Sequence, residues 1–131
     1  MIGRLNRVSE LIKREVTLIL QTEIDDPEID GVIVMKVDVT KDLKLARVYF
    51  TLEEGFGDIV SVTKALASHV KFVRGELSRR ISLKYMPRLS FREDELEKKQ
   101  RDIDALFEKI GMEHLDDASG VDSEKGEENE S

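Results

Sequence analysis

The sequence predicts a single α+β domain, a three-stranded sheet with helices on one face. Two observations carry that expectation. Apolar residues recur every three or four positions up to about residue 20, alternate with polar ones between residues 32 and 52, and return to helical spacing from residue 58. The length of 131 residues, with 40% hydrophobic residues and no Trp, suits one modest, mainly aliphatic core.

The first helix is set by Leu5, Val8, Leu11, Ile12, Val16, Ile19 and Leu20, with Arg4, Arg7, Glu10, Lys13 and Arg14 between them. It should end by Ile24-Asp25-Asp26, because a residue preceding proline, here Pro27, avoids helical geometry. In the run VIVMKVDV from Val32, alternation places Ile33, Met35, Val37 and Val39 on one face and Lys36 and Asp38 on the other. After a turn at Thr40 to Leu43, Ala46, Val48, Phe50 and Leu52 share a face, with Arg47, Tyr49 and Thr51 opposite. Two strands so close in sequence form an antiparallel hairpin. Tyr49 can cover the outer face of the sheet or stack on a base, and covering is the reading favoured.

After the Glu53 to Gly57 loop, Asp58 is the expected N-cap of a long helix whose stripe is Ile59, Val62, Leu66, Val70, Val73, Leu77 and Ile81. Tyr85-Met86-Pro87 stops it. Arg88 to Arg92 alternates again as a third short strand. A last helix starts near Glu95, carries Leu96, Ile103, Leu106, Phe107 and Ile110 along one side, and is expected to close at Gly111. From Asp116 onward the chain is acidic and small, with Val121 its only branched aliphatic, too little apolar surface to offset the entropy of ordering. The expected organisation is a domain over residues 1–112 and a disordered acidic tail over 113–131.

The formal net charge of −7 conceals a segregation. Residues 1–92 hold 16 Lys+Arg against 13 Asp+Glu, whereas residues 93–131 hold 5 against 15. Between Lys64 and Arg92 there are eight basic residues and one acid, Glu76. An anion is the partner such a segment fits. At about 100° per residue, the side of the long helix opposite its apolar stripe shows Lys64, Ser68, Lys71, Gly75, Ser78, Arg79 and Ser82. Solvated helix faces usually mix both signs; this one is only basic or small, so a phosphate backbone can approach closely and be neutralised. Phe72 lies off the stripe and Arg80 on it. A kink between His69 and Gly75 would relieve the first, so two helices meeting at an angle are expected.

Helix, strand, strand, kinked helix pair, strand is the element order of a type II KH domain, a reader of single-stranded RNA whose signature is a GXXG loop. No GXXG occurs in this chain. The fold expected is therefore KH-like (type II), with a kinked helix in place of the GXXG loop.

The sequence also resembles the bacterial ribosome-binding factor A family over residues 1 to about 112. The resemblance is carried by RLNRVSELIKREVTLIL, Asp26-Pro27, the hairpin VDVTKDLKLARVYFTL, FVRGELSRRI and MPRLSFRED. It implies a KH-like fold with a kinked helix, binding to 16S ribosomal RNA of the small subunit during late maturation of the 30S particle, including processing of the precursor rRNA end, and importance for growth in the cold. The family's Ala-x-Gly kink falls here on His69-Val70-Lys71, and its Asp-Pro-Arg reads Asp26-Pro27-Glu28.

The residues expected to meet phosphate are Lys64, Lys71, Arg74, Arg79, Arg80 and Lys84, with His69 at the kink, packing or touching RNA. Arg4, Arg7, Lys13 and Arg14 extend the contact or pair with Glu10 and Glu15 along their own helix. With no cysteine there is no disulfide, thiolate nucleophile or Cys-ligated metal. Asp25, Asp26, Glu28 and Asp30 resemble the start of an EF-hand, but the twelfth position from Asp26 is Val37, where a bidentate Glu is required. The two histidines lack partners at metal-ligand spacing, and no nucleophile elbow or phosphate-cradling glycine loop is present. No catalysis and no cofactor are expected. Without a membrane-length apolar run or a signal h-region, a cytoplasmic monomer is the expectation. The rival reading is a protein-interaction module whose basic face binds an acidic protein.

Overall fold

The computed structural model describes residues 3–118. Its elements are α1 (Gly3–Thr22), a single 3₁₀ turn (Pro27–Ile29), β1 (Val32–Val39), β2 (Leu45–Leu52), α2 (Ile59–Arg80), β3 (Arg88–Glu93) and α3 (Glu95–Ala118). They fall into two compact units, residues 1–95 and residues from 96 onward.

In the first unit the strands form one mixed sheet in the order β1-β2-β3. β1 and β2 are antiparallel; β2 and β3 are parallel, with Val48 opposite Phe91. A parallel pair needs a crossover, and α2 supplies it. The inner face presents Val34, Val37, Val39, Ala46, Val48, Phe50, Leu89 and Phe91. Against it pack Ile12, Val16, Ile19 and Leu20 of α1 and Val62, Ala65, Leu66, Val73 and Leu77 of α2. The α2 stripe and the β2 face are therefore where the periodicities place them, and so is the α1 stripe except at Leu11, which is exposed. Each fully buried Leu or Phe contributes about 1.5–3 kcal/mol relative to an exposed one.

β1 departs from simple alternation. A bulge between Val34 and Lys36 sets Val34 opposite Phe50 but Lys36 opposite Tyr49. Val34 is consequently buried, while Ile33 and Met35, expected inward, are 46% and 41% exposed. One inserted residue reverses the phase, and the sequence upstream of it must be read in the other register.

Two turns fix the ends of the hairpin and of the crossover. In the β1–β2 turn Leu43 takes φ 61°, and the Asp42 carboxylate accepts bonds from the Thr40 hydroxyl (2.7 Å) and the Lys44 amide (3.0 Å). α2 starts at Asp58, whose side chain accepts from the Ser61 amide at 3.0 Å. α2 then runs uninterrupted from Ile59 to Arg80, so the expected pair of helices is replaced by one. The two discordant residues are accommodated without a break: Phe72 stays in solvent and Arg80 turns its guanidinium to carboxylates, as described below.

α3 also differs from expectation. It passes through Gly111 and reaches Ala118, since a helical glycine costs only about 1 kcal/mol and the flanking residues favour helix. Within it Lys98 pairs with Asp102 (3.4 Å) and Gln100 donates to Asp104 (3.0 Å), both at i,i+4 spacing. The expected acidic tail from residue 113 begins on this helix; residues 119–131 lie outside the described residues. No described helix is long and apolar enough to cross a membrane.

Gly31 is buried where the loop after β2 folds back: its carbonyl accepts the Glu53 amide at 2.8 Å, and a Cβ there would lie 2.2 Å from the Phe56 Cβ. Gly31→Ala should therefore lower the unfolding free energy by about 1–3 kcal/mol, measured by urea denaturation. Adding Phe56→Gly should recover part of that loss, because it removes the atom the new methyl meets.

Candidate nucleic-acid interface

α2 buries Val62, Leu66, Val73 and Leu77, and this fixes what it turns outward. Lys64, Ser68, Lys71, Gly75, Ser78 and Arg79 are all exposed, followed by Ser82 and Lys84 just beyond the helix. The relief is low. The Ser68 hydroxyl donates back to the Ala65 carbonyl (2.6 Å) and the Ser78 hydroxyl to that of Gly75 (2.7 Å), so neither side chain stands away from the helix. A Cβ at Gly75 would meet nothing within 4 Å. Lys64 and Lys71 project from this surface at a separation of about two turns. Glu76, the one acid between Lys64 and Arg92, is largely covered and pairs with Arg79.

The ridge is narrower than the number of basic residues implies, because three of its expected members are engaged inside the protein. Arg74 is half-buried, its Nε donating to the Pro87 carbonyl (3.0 Å) and its Nη2 to that of Met86 (2.8 Å). It thereby holds the segment that returns the chain from α2 to β3. Arg80, with a side chain 28% exposed, lies 3.3 Å from Glu15 of α1, 3.3 Å from Glu23 just past its end and 3.7 Å from Glu76. It ties α1 to α2. Snorkelling from the apolar stripe is the means by which its stem and its charge are both satisfied. His69 places Nε2 2.7 Å from Oδ2 of Asp26, whose Oδ1 caps the 3₁₀ turn through the Glu28 amide at 3.0 Å. That histidine pins the turn to α2. Lys64, Lys71 and Lys84 remain, with Arg79 sharing Glu76.

On the outer face of the sheet, Tyr49 is only 7% exposed and the Lys36 ammonium sits 5.1 Å from its ring centroid. It covers the sheet. Arg47, beside it, is 3.6 Å from Asp38. Reading the sequence as a charge pattern passed over two exposed rings: Phe72, 45% exposed on α2, and Tyr85, 75% exposed after it. Their signal was available, since Phe72 fails to join the apolar stripe. Among the described residues no three His, Cys, Asp or Glu side chains come together to hold a metal. Asp26, where the twelve positions of an EF-hand loop would begin, is engaged in capping and in the bond to His69.

The model of the ribosome-binding factor A family matches residues 4–107. A ribosome-binding factor A from Desulfatibacillum aliphaticivorans is 34% identical over 110 residues, covering 84% of this chain and 89% of its own. That from Hahella chejuensis is 37% identical over 127 residues, or 92% of each. The crystal structure of ribosome-binding factor A from Thermus thermophilus superposes with a TM-score of 0.64 at 23% identity, over 69% of this chain and 94% of that one. A homology model of the Thermus thermophilus ribosome-binding factor A, fitted into the cryo-EM map of its 30S complex, gives a TM-score of 0.54 at 24% identity, over 64% and 88%. The structural likeness is one of fold, α+β and KH-like.

Two variants separate anchoring from presentation. Arg80→Ala leaves two mostly covered carboxylates, Glu15 and Glu76, to their remaining partners Arg14 and Arg79 and unties α1 from α2, and should lower stability by about 1–3 kcal/mol in thermal or urea unfolding. At Asp26 the bond to His69, then that from the Glu28 amide, holds the carboxyl below its ordinary value. A depressed folded-state pKa contributes stability above the unfolded value of about 3.9, lost as pH falls through the folded one. Asp26→Asn keeps a capping acceptor and drops the charge. Urea midpoints of the two proteins should differ near neutral pH and converge at the acid end of the titration.

Proposed function

The chain belongs to the ribosome-binding factor A family, and from that premise we propose that it binds the small ribosomal subunit through 16S rRNA lying along the α2 ridge. The observation that supports this most directly is the row Lys64, Lys71 and Arg79 set among Ser68, Gly75 and Ser78. Ammonium and guanidinium groups on a flat surface meet phosphates without a steric barrier, and each contact releases counterions. The thermophilic relative fitted into a 30S complex supports the choice of particle.

The act is binding, not bond-making. A factor that favours the rRNA arrangement of an immature particle over that of the finished one shifts the population toward a productive fold and leaves when the difference in affinity disappears. Assistance to late 30S maturation, including processing of the precursor rRNA end, follows from holding that RNA open to the enzymes that act on it. Misfolded RNA is most persistent at low temperature, so the requirement should be greatest in the cold. One domain, acting as a monomer in the cytoplasm without cofactor, suffices for this role.

The test is co-sedimentation. Wild-type protein should travel with free small subunits and be released by ribonuclease. Lys64→Ala with Lys71→Ala should reduce that association and shallow the slope of log K against log salt by roughly 1.4–1.8, the loss of about two phosphate contacts. Association that survives ribonuclease, or is unaffected by the double substitution, assigns the ridge to an acidic protein partner or to none.

A further inference from the structure

We propose that Phe72 is a stacking platform that takes an unpaired nucleobase from the same RNA whose phosphates lie on Lys64, Lys71 and Arg79. The inference rests on the RNA reading above and adds to it the form of RNA recognised: a strand with at least one base free of pairing.

Phe72 sits between Lys71 and Val73 in the middle of α2, and its own fold leaves it uncovered. Val73 is completely buried while Phe72 is 45% exposed, so the chain had an inward position beside it and does not use it for the ring. Of its helical neighbours, Ser68 one turn before has its hydroxyl folded onto the Ala65 carbonyl and Gly75 one turn after has open space where a Cβ would stand, while the half-buried His69 and Glu76 are held by Asp26 and by Arg79 and Arg80. The ring is thus the one exposed aromatic body within α2, on a low cationic surface where Val60 is the other large apolar side chain exposed. Tyr85, the other exposed ring nearby in sequence, already lies under the Lys84 ammonium at 5.6 Å; among the described residues no cation lies over Phe72. A π-face left bare beside phosphate-binding cations matches a base that has left its stack, because stacking tolerates any base and the neighbouring charges track the backbone. An acidic protein would meet the same cations but gives no reason for a bare ring among them. Duplex RNA offers phosphates without a base face, so the two forms of RNA are distinguishable.

The chain contains no Trp, so Phe72→Trp introduces a single indole at the platform. The probes are a single-stranded RNA of about 12 nucleotides rich in adenine and the blunt duplex made from it, titrated at low salt. The expected result is strong quenching of the Phe72→Trp emission by the single strand, with affinity kept, and little quenching by the duplex. Phe72→Leu, which keeps bulk and helix propensity but loses the π-face, should weaken single-strand binding roughly 5- to 150-fold and leave duplex binding unchanged. Phe72→Leu binding the single strand as wild type does, while Lys64→Ala with Lys71→Ala weakens both probes, overturns the platform and leaves the RNA reading standing. Equal loss of both probes in Phe72→Leu also overturns it. Wild-type protein that retains neither probe overturns both. The single-indole quenching reads the platform even if the Leu variant unfolds.

Discussion

A helix that buries Val62, Leu66, Val73 and Leu77 against a sheet has no freedom left over which residues it shows to water. That constraint organises everything described for the first unit. The 3.6-residue repeat sends Lys64, Lys71 and Arg79 outward by the same rotation that sends the stripe inward. The crossover role of α2 fixes its direction, since parallel β2 and β3 must be joined by something long enough to return. Core and surface are then two readings of one register, and a shift by a single residue would expose leucine and bury lysine together.

A stripe on a sheet sets rotation but tolerates sliding and tilting, and here polar groups restrict those movements. Arg80 reaches α1, Arg74 reaches the return segment, and His69 reaches the 3₁₀ turn before β1. The division between arginine and lysine follows from their chemistry. A guanidinium presents several donors in a fixed fork and can satisfy two carbonyls or three carboxylates at once, whereas an ammonium is a hydrated point charge best left in water. Arginines at 74 and 80 accordingly fasten the helix, and lysines at 64, 71 and 84 are left on it. Exposed pairs such as Arg79 with Glu76 contribute little to stability, which leaves that arginine easy to redirect.

Much of this was legible because periodicity reports rotation. The stripes of α1 and α2, the β2 face, the Asp58 cap and the outward basic row all depend on local spacing, and apart from the exposed Leu11 they lie where spacing puts them. What failed depends on partners distant in sequence. The β1 bulge is a matter of pairing with β2, and nothing within VIVMKVDV marks Met35 as the extra residue. Of the three carboxylates that take Arg80, Glu76 is four residues away but the other two are 57 and 65 away, so its tie to α1 is invisible until the fold closes. Gly111 is a stop signal only if a left-handed turn follows it, and here the helix simply continues. Phe72 is an inconsistency visible in the sequence, which a change in backbone direction would relieve; in the structure the ring is left outside.

The missing GXXG motif bears on how such a surface must work under the proposed function. In a glycine loop, backbone amides approach the nucleotide directly, and those donors belong to the fold whatever the salt concentration. Along α2 the amides beyond the first turn are committed to carbonyls of the preceding turn, so the helix can offer phosphate only its side chains. Contacts made by flexible ammonium groups in water are weak singly and strongly salt-dependent. They bind fast, release readily and carry no sequence information. Discrimination among RNA states then has to come from what those charges do not provide: the shape imposed by a rigidly anchored helix, and an aromatic face that only an unstacked base can meet.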